Sequence, residues 1–247
     1  MEAAADALRA YRETPFPESD TPWREADYSV VDLELTGLDP SADEIISFGA
    51  VPVVEGKVVA GDVLYQVVRP VRMPSPDTIR IHGLRESDLA GAPPLDEVID
   101  GLISALTGRV LVAHVAAIET GFLGAALEAH GDELRNPVID TAELATELGR
   151  LQRDPPPMGD EGARPGAAGP SPALGDLARW LGLPVHRPHH AEGDALTTAQ
   201  AFIALASHLE AFSPQTLGSL VQASRPPRAR ISLSSVLGRF GIERFKG

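Results

Sequence analysis

Residues 28–40 read Tyr-Ser-Val-Val-Asp-Leu-Glu-Leu-Thr-Gly-Leu-Asp-Pro. An apolar, β-branched run of this kind is a strand, yet it carries two acids, Asp32 and Glu34. Side chains alternate along a strand, so positions i and i+2 share a face. Two carboxylates side by side on a buried face repel each other and lose hydration. Two readings are open. Either both acids are solvated near the end of the strand, or a positive group lies between them, a divalent metal being the strongest candidate. Thr36-Gly37 follows at once, where a tight turn lets the backbone approach a ligand.

The remaining composition narrows the chemistry. The 247 residues suit one domain with extensions, and a hydrophobic fraction of 43% is enough for a core. There are no cysteines, which excludes a disulfide framework, a thiolate zinc site and a cysteine nucleophile. No apolar run approaches the ~18 residues that cross a bilayer. The first twenty residues are acidic and broken by prolines, unlike a secretory signal. The expectation is a cytoplasmic protein without a membrane partner. A net charge of −14 argues against broad, sequence-independent nucleic-acid binding, but not against an enzyme that grips a short stretch of substrate through metal ions.

Taken in order, the chain divides into three parts. Residues 1–26 form an N-terminal extension with a short helix from Glu2 to Tyr11 and a proline-rich link; Trp23 has no evident place. Residues 27–212 form the main domain. Strands are expected at 28–35, 45–54 and 58–68, the last two joined by the turn Glu55-Gly56-Lys57. Residues 70–94 read as loop and short turns. Helices follow around 95–106, 118–127 and 141–151, alternating with short strands at 110–113 and 137–140. Residues 152–172 are rich in Pro, Gly and Ala and read as a mobile insertion. Two more helices are expected, at 173–181 and from Asp194 to Phe212. A hairpin followed by alternating helices and strands implies an α/β fold with a mixed sheet. Residues 213–247 form a basic C-terminal tail. From Ser224 onward it carries Arg225, Arg228, Arg230, Arg239, Arg244 and Lys246 against Glu243 alone. Such a tail is a solvated or self-docking segment, or a contact for phosphate.

Three further clusters carry candidate chemistry. His189-His190-Ala191-Glu192-Gly193-Asp194 places two histidines before an acid at a helix start. A histidine titrates near ~6.5 and can accept a proton at neutral pH; on proximity alone either ring qualifies. Glu119 is the one acid in an apolar helix start, and reads equally as inward-facing or solvated. Asp140 ends a short strand and fits a helix N-cap.

In sequence order, Asp-x-Glu-x-Thr-Gly, Val-Ala-His-x-Ala-x-x-acid-x-x-Phe-Leu, Asp-Thr and His-x-Ala-x-x-Asp-Ala resemble the DnaQ-like (DEDDh) 3′–5′ exonucleases of the ribonuclease H-like superfamily. That group includes the proofreading epsilon subunit of DNA polymerase III and ribonuclease T. The likeness covers about residues 28–210, and Ile81-His82-Gly83-Leu84 with Ala92-Pro93-Pro94 adds to it. It implies a ribonuclease H-like mixed sheet and a two-metal exonuclease that releases nucleoside 5′-monophosphates from a 3′ end of DNA or RNA. By position, Asp32, Glu34, Glu119 and Asp194 would hold two Mg²⁺ or Mn²⁺ ions, as an oxygen-only set requires. His189, five residues before Asp194, would be the general base. Thr36, Gly37, Leu38, His82 and His114 would contact substrate. The sequence departs from the family at Val115, where Asn is usual, and at Glu119, where the acid is mostly Asp. Nucleic acid, most simply a single-stranded 3′ end, is the implied partner, and a polymerase or other protein could dock on the tail. The alternatives are a catalytically weakened nucleic-acid-binding module and a protein-interaction subunit of the same fold.

Overall fold

A computed structural model describes residues 2–152 and 172–225. The acidic strand is β1 (Tyr28–Leu35). It pairs antiparallel with β2 (Ile45–Val54), whose run Ile-Ile-Ser-Phe-Gly-Ala-Val-Pro-Val-Val is buried almost throughout. On its other edge β1 pairs parallel with β5 (Val110–Ala113), and β5 pairs parallel with β6 (Val138–Asp140). Two short strands, β3 (Lys57–Val58) and β4 (Leu64–Val67), pair with β2. The order is β3-β2-β1-β5-β6, with β4 also on β2.

Each face of this sheet is covered by helices. One face, with Val31, Leu33, Phe48 and Leu111, packs against α1 (Glu2–Glu13), α4 (Leu95–Leu106) and α5 (Ala117–Ala129). The other, with Tyr28, Val30, Val51, Val53 and Val112, meets α6 (Thr141–Leu151), α7 (Leu174–Trp180), α8 (Ala191–Glu210) and α9 (Leu217–Ala223). The period-2 pattern of β1 therefore gives its odd positions to the first face and Asp32 and Glu34 to the second.

The structure corrects several boundaries. Residues 58–68 are not one strand: a short 3₁₀ turn at Ala60–Asp62 separates β3 from β4. Pro52 explains the break. Its carbonyl accepts from the Val59 N–H at 2.9 Å, but proline has no N–H to return. Pairing resumes at Leu64 opposite Ala50. The expected loop 70–94 contains α2 (Pro76–His82) and α3 (Glu86–Ala90). Ser75 caps α2 by accepting from the Thr78 N–H, and Gly83 ends it at φ 74°.

The division at 26/27 and 212/213 cuts through packed structure. Tyr11 and Trp23 are fully buried, and α1 lies on α4. Leu217 and Leu220 of α9 join the core. The Leu217 and Gly218 N–H groups donate to the carbonyls of Thr21 and Ser19. Most of the insertion, 153–171, and the basic residues beyond Arg225 lie outside the described residues. Among the described residues, no helix is long and apolar enough to cross a membrane.

Candidate active site

The site forms at the carboxyl ends of β1, β5 and β6, where the parallel strands hand over to helices, the usual place for ligands in open α/β sheets. Asp32 and Glu34 project from β1 toward α8. Opposite Asp32 on β2 stands Gly49. A Cβ at Gly49 would lie 2.4 Å from the Ala191 carbonyl oxygen and 2.7 Å from the Glu192 nitrogen. The first turn of α8 is thus seated directly on the sheet, which a side chain at that position would prevent. Ala191 is fully buried against it. Gly193 plays the same part on the outer side, where a Cβ would meet the His186 oxygen at 2.4 Å.

This seating carries Asp194 to β1. Oxygens of Asp32, Glu34 and Asp194 all lie within 4.8 Å of one another. The helix begins at Ala191, not at Asp194 as the sequence implied. His190, without a side-chain cap bond, is the N-cap. Asp194 is therefore in the first turn, and its carboxylate accepts from the His189 N–H at 2.8 Å.

Glu119 arrives from another direction, in the first turn of α5. It is 6% exposed, and among the described residues its Oε2 is buried without a hydrogen-bond partner. Of the two readings of this acid, the inward one is correct. What aims it is Asp140. That carboxylate caps α6 through the Ala142 N–H at 2.9 Å, as the sequence indicated, and also accepts from the N–H groups of Val115 at 3.0 Å and Ala116 at 3.1 Å. Val115 sits at φ 64°, a left-handed conformation that β-branched residues rarely adopt and Asn tolerates. The clamp from Asp140 holds this strained link into α5.

The electrostatics follow from placing four acids in one partly buried spot. Burial, then the charges of Glu119, Glu34 and Asp194, hold Asp32 well above the ordinary carboxylate range. Burial and the Asp194 charge push Glu34 up to about 8. Burial, with Asp140 and Glu34 behind it, pushes Glu119 up to about 8 against the pull of its own N–H. Burial raises Asp194, while the His189 N–H and ring charge draw it down. Such a cluster needs protons or cations to be neutralised. The donors are oxygens, three converge closely, and Glu119 holds one unpaired buried oxygen, so the set fits a hard divalent cation.

The two histidines have different surroundings. His189 is exposed, at φ 60°. The His190 ring stacks on Tyr65 of β4, centroids 4.4 Å apart, with its Nδ1 buried and without a hydrogen-bond partner.

Of the residues assigned to substrate, Thr36 is turned inward to its own loop. Its hydroxyl donates to Asp43 at 3.3 Å and accepts from the Glu44 N–H at 2.9 Å. A Cβ at Gly37 would meet that same Asp43 carboxylate at 2.3 Å. The glycine thus serves the turn 36–43. Leu38 is partly exposed beside the apolar cluster. His82 is buried; its Nδ1 accepts from the Leu84 N–H at 3.0 Å, and its Nε2 is unpaired. His114 does not fit a substrate contact. Its Nε2 faces the Pro172 carbonyl at 3.1 Å and its Nδ1 the Thr141 hydroxyl at 2.9 Å. Burial lowers its pKa to about 4, so the ring is neutral, and a carbonyl can only accept. The proton is therefore on Nε2, and both nitrogens are used internally. Sequence reasoning missed Gly49, Asp140's second role and Tyr65. A glycine inside an apolar strand signals close backbone approach; the other two carry no local signal.

Residues 29–202 match the family model for exonucleases of the RNase_T type. A DNA polymerase III subunit epsilon-like protein of Rhodobacter capsulatus is 33% identical over 210 residues, covering 84% of this chain and 27% of the relative. A PolC-type DNA polymerase III of Thermotoga petrophila is 31% identical over 185 residues, 74% of this chain and 12% of the relative. The chain thus spans about a quarter or less of these relatives. Among solved structures, exonuclease X in complex with 5′-overhanging duplex DNA superposes with a TM-score of 0.58 at 24% identity, covering 80% of this chain and 99% of that one. Exonuclease I of E. coli with a dT13 oligonucleotide gives 0.62 at 15% identity, covering 76% and 42%. The expected ribonuclease H-like mixed sheet flanked by helices is the fold these structures share.

Proposed function

We propose, from the premise that this chain belongs to the exonuclease family whose model it matches, that it is a divalent-metal-dependent 3′–5′ exonuclease of DNA or RNA. The observation that carries this reading is the convergence of Asp32, Glu34 and Asp194 within 4.8 Å, with the charge of Glu119 acting on Asp32. Those four residues would hold two ions, Mg²⁺ or Mn²⁺. Bound there, the ions supply positive charge against the attacking and leaving oxygens of a phosphodiester.

The chain's own residues supply the rest. His189, exposed next to Asp194, takes the proton of the attacking water as general base. Asp194 orients it by accepting from its backbone N–H. The turn 36–38 receives the terminal nucleotide, Leu38 offering an apolar edge to the base. The product is a nucleoside 5′-monophosphate. Epsilon-like and PolC-type relatives support a role beside a polymerase in the cytoplasm, with the basic residues beyond Arg225 as a contact for phosphate or protein.

A second reading, a binding module with weak turnover, draws on Glu119, which stands outside the closest group of three acids. One assay separates the two and fixes direction. Single-stranded DNA, duplex DNA and RNA, each labelled at the 3′ end, are incubated with Mn²⁺. Labelled mononucleotide should appear without a lag. Release first from a 5′ label would overturn the direction, and binding without release would favour the module.

A further inference from the structure

Cross-strand pairing aligns three residues in one row on the α8 face of the sheet. Asp32 of β1 stands opposite Gly49 of β2, and Gly49 opposite Tyr65 of β4. Directly paired residues point to the same side. Because Gly49 has no side chain, the start of α8 fills the gap between Asp32 and Tyr65. On the far side of that gap the Tyr65 ring stacks on His190, with an interplanar angle of 25°.

The loop that Tyr65 touches is under conformational load. Arg187 and His189 have φ values of 35° and 60°, where side chains of L-residues are rarely found. Such geometry persists when neighbours over-determine it. Several contacts do so here, among them the His186 Nε2–Gln200 Oε1 pair at 3.1 Å and the Arg187–Glu192 ion pair at 3.5 Å. Thr197 accepts from the His186 N–H and donates to the Gly193 carbonyl. Gly193 lets the carbonyls of His186 and Arg187 lie on the helix. Asp194 accepts from the His189 N–H. The Tyr65 stack is a contact that reaches this loop from the sheet. His190 gives no side-chain cap to α8, and among the described residues its Nδ1 has no hydrogen-bond partner, so the stack on Tyr65 is a contact that holds the ring.

We infer that Tyr65 is a positioning residue: by stacking on His190 it locks the 186–190 loop so that His189 is held beside Asp194. This rests on the reading of His189 as the base. Tyr65 itself need touch neither substrate nor water. A mobile base spends less time in reach of its proton, and small misplacements cost large factors in rate.

The test is kinetic, on the full chain with Mn²⁺ and a single-stranded oligonucleotide. Tyr65→Leu should lower kcat by about tenfold and leave KM within about twofold. Tyr65→Phe, which keeps the ring, should restore most of the rate. In a His189→Ala background the same Tyr65→Leu change should cost almost nothing, since the group it positions is gone. Amide exchange at residues 186–190 should quicken in Tyr65→Leu while that of β1 stays unchanged. A rise in KM at constant kcat would overturn the inference by making Tyr65 a substrate contact. A full tenfold loss that persists without His189 would overturn it by making the effect general. If His189→Ala alone retains wild-type kcat, the base assignment fails first and the inference falls with it. Intact His189 dependence with an inert Tyr65→Leu would sink the inference and leave the function standing.

Discussion

Replacing Glu119 by glutamine should make the metal-free protein more stable, and increasingly so as pH rises. The Glu119 pKa is about 8 in the folded chain against an ordinary value near 4.5. The folded state therefore binds this proton more tightly than the unfolded state. The sign follows: its contribution is fully present below pH 4.5 and is lost as pH climbs through 8. At pH 5.5 the folded chain is disfavoured by ~1.4 kcal/mol through this group, and at pH 8 by ~4 kcal/mol. Glutamine keeps the shape and cannot ionise, so the difference between variant and parent should widen by up to ~3 kcal/mol between those pH values. For a domain of this size that is roughly 5–10 °C in Tm. The assay is urea unfolding in EDTA at the two pH values, with the m-value checked for constancy. Saturating Mn²⁺ should erase the advantage by binding the parent more tightly. A stabilisation that is equal at pH 5.5 and pH 8, or a destabilisation at both, would refute the placement of a buried, unpaired carboxylate at this position.

Four other outcomes follow from the same geometry. Asp32→Ala and Asp194→Ala should each abolish metal-dependent hydrolysis while the protein stays folded by circular dichroism, because apo acids repel one another; full activity in either, or insensitivity to EDTA, would remove the metal reading. His189→Ala should lower kcat by ~10²–10⁴-fold, and His190→Ala by far less; the reverse order would show the register of the third motif to be wrong. Val115→Asn should raise stability by ~1 kcal/mol in urea, since the left-handed φ of 64° suits Asn, and a loss of stability would mean that the Asp140 clamp needs valine's packing. Deleting residues 226–247 should raise KM on long substrates and flatten its salt dependence; an unchanged salt slope would assign those residues to partners.

The elements with strong periodicity were legible before any coordinates. β1, β2, α4 and α6 lie within a residue or two of where apolar spacing puts them. Asp32 and Glu34 stood out in their apolar run with a solvated strand end equally open, and Glu119 and Asp194 joined them only through the family resemblance; the fold brings Asp32, Glu34 and Asp194 together. What stayed hidden depended on partners distant in sequence. α8 starts at Ala191, ahead of expectation, with His190 as an N-cap that makes no side-chain cap bond and with its first turn seated on Gly49. α9 and Trp23 looked like loose ends, since segments 19–23 and 215–218 hold each other and neither has a strong pattern alone. His114 was assigned to substrate from its motif, yet its second ring nitrogen is occupied by Pro172, a carbonyl that no local pattern could anticipate. The meaning of Val115 was likewise invisible as a letter and plain as a dihedral angle.

Gly49 has a consequence beyond its own strand. Asp32 and Glu34 lie on β1, whereas Ala191 and Asp194 lie on α8, far along the chain from them. It is the seating of Ala191 on the bare patch of sheet at Gly49 that brings the carboxylate of Asp194 to those of Asp32 and Glu34. Whatever the three carboxylates do together therefore waits on that one docking contact.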